Sequence, residues 1–414
     1  MLQGAKRRHV PEGRFQAYGR LEEHRAMLQD EVRTRSFCAA LDAVCAGRVV
    51  MDLGCGSGVL SIFAARAGAQ HVFAVDGSSV CISVAQRAAQ ASGVAEKITF
   101  LEGDVLNIAQ QVDAHLVRLD AASGEGAAEE PQRCVEVLVS EWMGFALVHE
   151  GMFNAVAFAR DRWLVQGGLV LPSACSLWAA PLAYPEVVDE ATSFWLSKPY
   201  GIDFSGAACL AWQQAVARPL VEALPSSAWA VLCGAGVGAA VSDGSDNSEA
   251  DATCSDGAVL LARPAVIWRL DCTAASGADA MSPGKLKLCF EGDVDGNAPF
   301  HGFVLWFDVV LLPEVMGPAA GFSTGPEAPP THWAQVLLLL DGRPSACVET
   351  LEGPVFQRFG RGDRLEGSLR LDVRQGGSGE VDIQLEGQLL RTTAQGRVAW
   401  PFTKRFELAA SAAV

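Results

Sequence analysis

Between Gln16 and Phe37, Leu21, His24, Met27, Leu28 and Val32 recur at helical spacing with no proline, which predicts one uninterrupted helix ahead of the first strand. The run that follows, RVVMDLGCGSGVLSIFAARAGAQHVFAVDGSS, opens on β-branched apolar residues, passes a glycine-rich turn into an alanine-rich helical period, and returns to a β-branched run. That order is strand, turn, helix, strand. Apolar runs at ITFLEG and VEVLVSEW extend it, so residues 37–172 predict an open, doubly wound α/β sheet with a parallel core, behind a helical region at 1–36. After Pro172 the pattern changes to short alternating stretches such as VIWRLDC, KLKLCFEG and DIQLEGQLL, cut by Gly, Pro and Asp turns. Residues 173–414 therefore predict a β domain, and periodicity does not choose between sandwich and barrel. Polar, low-complexity stretches at 120–134 and 234–258 read as flexible surface insertions.

Length and composition agree with two cores: the chain has 414 residues, half of them hydrophobic. No apolar run approaches the roughly 18 to 20 residues that cross a bilayer, and the start MLQGAKRRHVPEGR lacks a secretory core, so the expectation is an intracellular protein without membrane contact. The 12 cysteines show no CxxC or Cys/His ligand spacing and are read as reduced thiols, with no metal site. A net charge of -16 disfavours direct binding to nucleic acid or anionic lipid; it fits a cationic partner, and equally an ordinary solvated acidic face.

In a doubly wound sheet ligands sit beyond the carboxyl ends of the strands, which is where Asp52, Gly54, Gly56 and Gly58 fall. The turn reads DLGCGSG, a DxGxGxG pattern rather than the GxGxxG of a dinucleotide cradle, and it favours S-adenosylmethionine. Asp76, closing the second strand before Gly77, is an acceptor-only carboxylate suited to both ribose hydroxyls. Gly103, Asp104 and Val105, after the third strand, are candidates for the adenine, or an ordinary acidic turn. Arg33, placed on the last turn of the preceding helix, is a candidate for the methionine carboxylate if that helix folds over the pocket.

The stretch SEWMGFALVHEGM puts Glu141 at a strand end and Glu150 nine residues on. Two carboxylates around one small apolar site are costly unless a cation joins them, and a planar guanidinium fits them bidentately.

These residues resemble the protein arginine methyltransferase family, whose double-glutamate loop reads SEWMG followed by E-x-M, here Glu150-Gly151-Met152. The resemblance extends to His24, Met27, Leu28, Asp30, Arg33 and Thr34 in the helix and to Thr331, His332 and Trp333 in the second half. It implies a Rossmann-like S-adenosylmethionine-binding domain, a helix capping the cofactor, and a β-barrel substrate domain from about residue 173. An inserted dimerisation arm near 183–203 would carry exposed Phe194, Trp195 and Tyr200 and make a homodimer. His24 and Met27 are implied at the cofactor, Met143, Met152 and Trp333 at the substrate, and a pair between His332 and Asp30 that ties barrel to cap and helps proton release. Type I members have two methionines flanking the pocket, matched by Met27 and Met152, so asymmetric dimethylarginine is the implied product. The implied partners are arginine-bearing proteins, histone tails and arginine- and glycine-rich proteins among them, met in nucleus or cytoplasm.

The chain departs from the family pattern at the start of the cap, where Arg14 replaces the first tyrosine of a motif kept at Phe15 and Tyr18, and at Phe145 and His149, where tyrosine is common. The competing readings are a cofactor-binding scaffold that regulates an active relative, and a methyltransferase for lysine or small molecules.

Overall fold

A computed structural model describes residues 21–123, 134–230, 257–294, 298–313, 320–342, 354–374, 380–393 and 395–409. The helix expected across Gln16–Phe37 is broken within the described residues: α1 spans Leu21–Gln29 and α2 spans Glu31–Val44. Asp30 makes the break. Its backbone is extended, and its side chain accepts from the Arg33 amide at 3.0 Å, capping α2. An aspartate bonds its own backbone well enough to end one helix and start another, without proline or glycine. Arg33 therefore sits on the first turn of a helix, not the last, and α2 runs on past residue 37. Leu21 and Leu28 stay exposed on α1, while His24 is buried.

The α/β half continues as β1 (Val49–Leu53), α3 (Val59–Arg66), β2 (His71–Asp76), α4 (Ser79–Ala91), β3 (Ile98–Glu102), α5 (Ala109–Ser123), β4 (Val135–Val139), α6 (Phe153–Trp163) and β5 (Leu164–Leu171). These strands form one parallel sheet in the order β3-β2-β1-β4-β5. The middle strands are apolar on both faces because helices cover both; all of Val49–Leu53 is buried. The stretch expected as an insertion at 120–134 begins inside α5; residues 124–133 of it, most of the 234–258 stretch, and Arg14, Phe15 and Tyr18 lie outside the described residues.

At the cis Leu171–Pro172 bond the chain leaves this sheet. The second half contains β6 (Ala174–Ala183), α7 (Pro185–Leu196), α8 (Ala208–Ala215), β7 (Leu220–Glu222), β8 (Val259–Leu260), β9 (Ala265–Asp271), β10 (Lys285–Glu291), β11 (Ala298–Pro299), β12 (Gly302–Leu312), β13 (Ala320–Ser323), β14 (Gln335–Leu339), β15 (Arg358–Phe359), β16 (Arg364–Val373), β17 (Val381–Thr393) and β18 (Gly396–Leu408). Antiparallel sheets β7-β14-β12-β6-β8 and β10-β16-β17-β18 enclose a barrel-like core. Phe290, Phe300, Phe303, Leu365, Leu369, Leu385 and Leu389 pack inside it. The excursion after β6 is helical, with Phe194 and Tyr200 exposed and Trp195 half-buried. Cys209, on α8, is disulfide-bonded, so the expectation of thiols throughout fails there; the other described cysteines form no disulfide.

Candidate active site

The strand order reverses direction between β1 and β4, the switch point where a crevice opens beyond the strand ends. The register pairs Asp52 with Val139, so the glycine turn and Ser140-Glu141 leave the sheet side by side. The serine, which sequence reasoning did not single out, joins them: its buried hydroxyl donates to the Leu53 carbonyl at 2.7 Å.

The turn itself needs its glycines. Gly54, Gly56 and Gly58 have φ of 73°, 51° and 78°, a region that L side chains rarely enter. There is also no room for a Cβ: one built on Gly54 would lie 2.7 Å from Cε of Met152, and one on Gly56 3.0 Å from Cε1 of His24. His24 in turn sits 3.2 Å from the Cys81 sulfur on α4. The Gly56 amide donates to Asp76 Oδ2 and the Ser78 amide to Oδ1, both at 2.8 Å, which fixes that carboxylate at the end of β2. Burial pushes its pKa up despite those bonds. Gly103 donates its amide to the Asp76 carbonyl at 2.8 Å, Val105 is buried, and Asp104 turns back to accept from the Leu106 amide. Nothing lies within 4 Å of a Cβ on Gly77.

Asp52 is fully buried under this turn. Ser61 donates to its Oδ2 at 2.6 Å, and Oδ1 has no hydrogen-bond partner among the described residues. Burial dominates and moves its pKa up to about 7. A buried carboxylate oxygen without a partner suits a ligand that brings a positive group. The narrow glycine cradle, Asp76 at the second strand end and Asp52 below together fit S-adenosylmethionine, whose α-ammonium is such a group.

The guanidinium of Arg33 reaches across the crevice to Glu141. Its Nε and Nη2 donate to the same Oε2 at 3.2 and 2.9 Å, both side chains at most a tenth exposed, and Nη1 reaches the Met27 carbonyl at 3.4 Å. Removing either partner of a pair this buried would cost about 3 to 5 kcal/mol by stranding the other charge.

From Gly144 to Gly151 the loop is wound into consecutive turns, with Leu147 and Gly144 exchanging amide-to-carbonyl bonds and the Gly151 amide donating to Val148. Ala146, Leu147 and Glu150 have φ of 50°, 72° and 84° without being glycine. Each such residue costs about 1 to 3 kcal/mol and persists only where its surroundings hold it. The barrel supplies that hold. Trp333, buried between Phe322 and Phe307, donates its indole N–H to the carbonyl of the buried Met143 at 2.8 Å. A Cβ on Gly151 would meet Val373 and Met281 at 3.0 and 3.2 Å.

A second tie joins the barrel to the cap: the His332 amide and Nδ1 both bond Asp30 Oδ2, at 2.9 and 2.8 Å. Burial alone would raise the Asp30 pKa, yet these bonds and the Arg33 amide outweigh it and leave it lowered. Thus Asp30, Arg33, Glu141 and His332 form one connected group, His24, the glycine turn and Asp76 a second, and Met152 touches both the turn and the glutamate loop. Trp333 and Met143 lie behind that loop. No described group of three or more His, Cys, Asp or Glu residues could hold a metal.

Fold and site together define an S-adenosylmethionine-dependent methyltransferase with a barrel appended to its catalytic domain. Residues 3–117 match the family model of ribosomal protein L11 methyltransferase, and residues 173–350 match that of the arginine methyltransferase oligomerization subdomain. Probable protein arginine N-methyltransferase 6 of Arabidopsis thaliana is 30% identical over 359 residues, covering 78% of this chain and 69% of the relative. Ribosomal protein arginine N-methyltransferase rmt3 of Schizosaccharomyces pombe is 29% identical over 381 residues, 90% of this chain and 56% of its own length. The chain belongs to the protein arginine N-methyltransferases. Among solved structures, the Trypanosoma brucei PRMT1 enzyme-prozyme heterotetrameric complex with AdoHcy superposes with a TM-score of 0.67 at 23% identity, over 94% of this chain and 99% of that one. Arabidopsis thaliana protein arginine methyltransferase 10 gives 0.67 at 22%, over 95% and 99%. The enzyme methylates protein arginines, with S-adenosylmethionine as its cofactor.

Proposed function

We propose that Glu141 and Glu150 together hold the substrate guanidinium, and that the final product is asymmetric dimethylarginine. The observation that carries the first part is the position of the two glutamates: one leaves the switch-point strand paired to Arg33 at 2.9 Å, the other is locked at φ 84° in the same loop. Two carboxylates fixed from opposite ends of one loop grip a planar fork in a single orientation, so one nitrogen is presented for attack. They also stabilise positive charge as it develops on the substrate, and either can take the proton released. Bound S-adenosylmethionine supplies an electrophilic methyl group. Asp52, Asp76 and His24 with the glycine turn would hold it, Gly103, Asp104 and Val105 would border its adenine, and Arg33, paired to Glu141, would also face its carboxylate. His332 and Asp30 pin the cap and offer the proton a route outward.

For the product, Met152 stands over Gly54, and the half-buried Met27 gives its carbonyl to Arg33. Flexible thioethers at these positions leave room for a second methyl group on the same nitrogen. We also place the substrates among arginine- and glycine-rich segments and histone tails, which the net charge of -16 favours. The oligomer is assigned as a homodimer through the helical excursion, on the strength of exposed Phe194, Leu196, Tyr200, Ile202, Phe204 and Leu210.

The test is mass spectrometry of an arginine- and glycine-rich peptide incubated with enzyme and S-adenosylmethionine. The expected result is asymmetric dimethylarginine from the wild type and a drop of at least about a hundredfold in Glu141→Gln and Glu150→Gln. Symmetric product would overturn the assignment built on the methionines; turnover surviving in both variants would overturn the role of the glutamates.

A further inference from the structure

We infer that His149 is a positioning residue for Glu150, acting through a bond to the main chain just after β18. His149 is fully buried, and its Nε2 lies 2.8 Å from the Ala409 carbonyl oxygen, 260 residues away in sequence. A carbonyl can only accept, so the hydrogen sits on Nε2 and the ring donates. The adjoining main chain is equally confined. The His149 amide donates to Phe145 at 3.2 Å, its carbonyl oxygen closes on Gly144 so tightly that a Cβ there would lie 2.1 Å away, and its ring lies 5.6 Å from that of Phe145.

The next residue is Glu150, whose left-handed backbone is unfavourable for any side chain but glycine. Such a conformation lasts only while its neighbours are fixed. Its C-terminal side is confined at Gly151, where a Cβ would meet Val373 and Met281, and on the N-terminal side the His149 side chain reaches out of the loop to the main chain after β18. Loss of that bond frees the loop to relax towards ordinary dihedrals, swinging the Glu150 carboxylate away from the guanidinium while the glycine turn and Asp76 stay in place. The inference therefore rests on the role given to Glu150 above.

The experiment compares His149→Phe, which keeps a ring beside Phe145 but has no donor, with His149→Gln, whose amide nitrogen falls near the place of Nε2. Truncation after Leu408 removes the acceptor from the other side. Each variant is assayed for kcat and KM with an arginine- and glycine-rich peptide, and for S-adenosylmethionine affinity. His149→Phe is expected to lose about ten- to a hundredfold in kcat, the cost of a misplaced catalytic group, with cofactor Kd within about twofold of wild type. His149→Gln should recover most of that loss. The truncated enzyme should resemble His149→Phe, and the truncated His149→Phe enzyme should be no worse than either change alone. Unchanged kcat in His149→Phe, equal damage in His149→Gln, additive losses, or a parallel fall in cofactor affinity would each overturn the inference. Glu150→Gln is run alongside: if it turns over normally, the reading of Glu150 is what fails.

Discussion

The glycine turn and the glutamate loop lie side by side at the switch point, yet they hold unusual backbone conformations by opposite means. In the turn every left-handed residue named above is glycine, so the geometry is written into the local sequence and needs little outside help. In the loop Ala146, Leu147 and Glu150 adopt the same region, and the geometry is imposed from the barrel side by Trp333, Val373 and Met281 and by the Ala409 carbonyl that His149 bonds. The glycine turn is thus locally encoded, whereas the glutamate loop is tertiary. Lesions in the first should hit cofactor binding, and lesions in the barrel contacts should hit turnover.

The largest effect that separates the two is expected from Gly58→Ala. Its φ is 78° and the new Cβ would lie 2.7 Å from Cβ and 3.1 Å from Cα of Ala85, so neither rotation nor a flexible neighbour relieves the clash. Left-handed strain plus overpacking amounts to about 2 to 5 kcal/mol, and cofactor affinity should fall by about a hundredfold or more in a calorimetric titration. Affinity within about threefold of wild type would mean that the turn is more adaptable than its contacts imply.

A middle-sized effect is expected from Asp30→Ala. It removes the cap of α2 and the acceptor of both His332 bonds, a loss of about 2 to 4 kcal/mol in denaturant unfolding. Because the Asp30 pKa is lowered, this stabilisation is present above the ordinary carboxylate range and fades as pH falls through the folded value. A wild type and Asp30→Ala difference that did not shrink in acid would show that the cap is held mainly by other contacts.

The smallest effect belongs to Asp52 and has the opposite sign. Its folded pKa of about 7 lies above the unfolded value, so the folded state binds the proton more tightly, and this group's contribution declines as pH rises from about 4 to 7. Asp52→Asn should flatten that part of the melting-temperature profile, and S-adenosylmethionine binding near pH 6 should release a fraction of a proton, read by calorimetry in buffers of different ionisation enthalpy. Identical slopes in the two proteins would remove Asp52 from the account.

The same contrast explains what could be read in the chain. The βαβ unit, the DxGxGxG turn and Asp76 declared themselves because strand, turn and helix there follow from neighbouring residues. Glu141 and Glu150 stood out because two carboxylates nine residues apart around an apolar loop suggest a site for a cation. The break at Asp30 did not, since apolar spacing and helix propensity run straight through it, and the partner that gives Asp30 its second role is 302 residues away. The Arg33 bonds to Glu141 are hidden for the same reason: the apolar spacing alone puts Arg33 on the last turn of an unbroken helix rather than on the first turn of α2. Ser61 and Ser140 gave no signal, since a buried serine is recognised only by the acceptor it finds in the fold.

The long reach of the barrel ties has a consequence for how the molecule comes into being. The parallel sheet is complete once Leu171 has been made, and the glycine turn with it. The glutamate loop must wait for Trp333 and Ala409, because contacts separated by 190 and 260 residues fix it. During synthesis the turn can form early, and such distant pairings close slowly. The nascent chain thus acquires its glycine turn well before its glutamate loop, and the finished crevice arrives as one of the last events of folding.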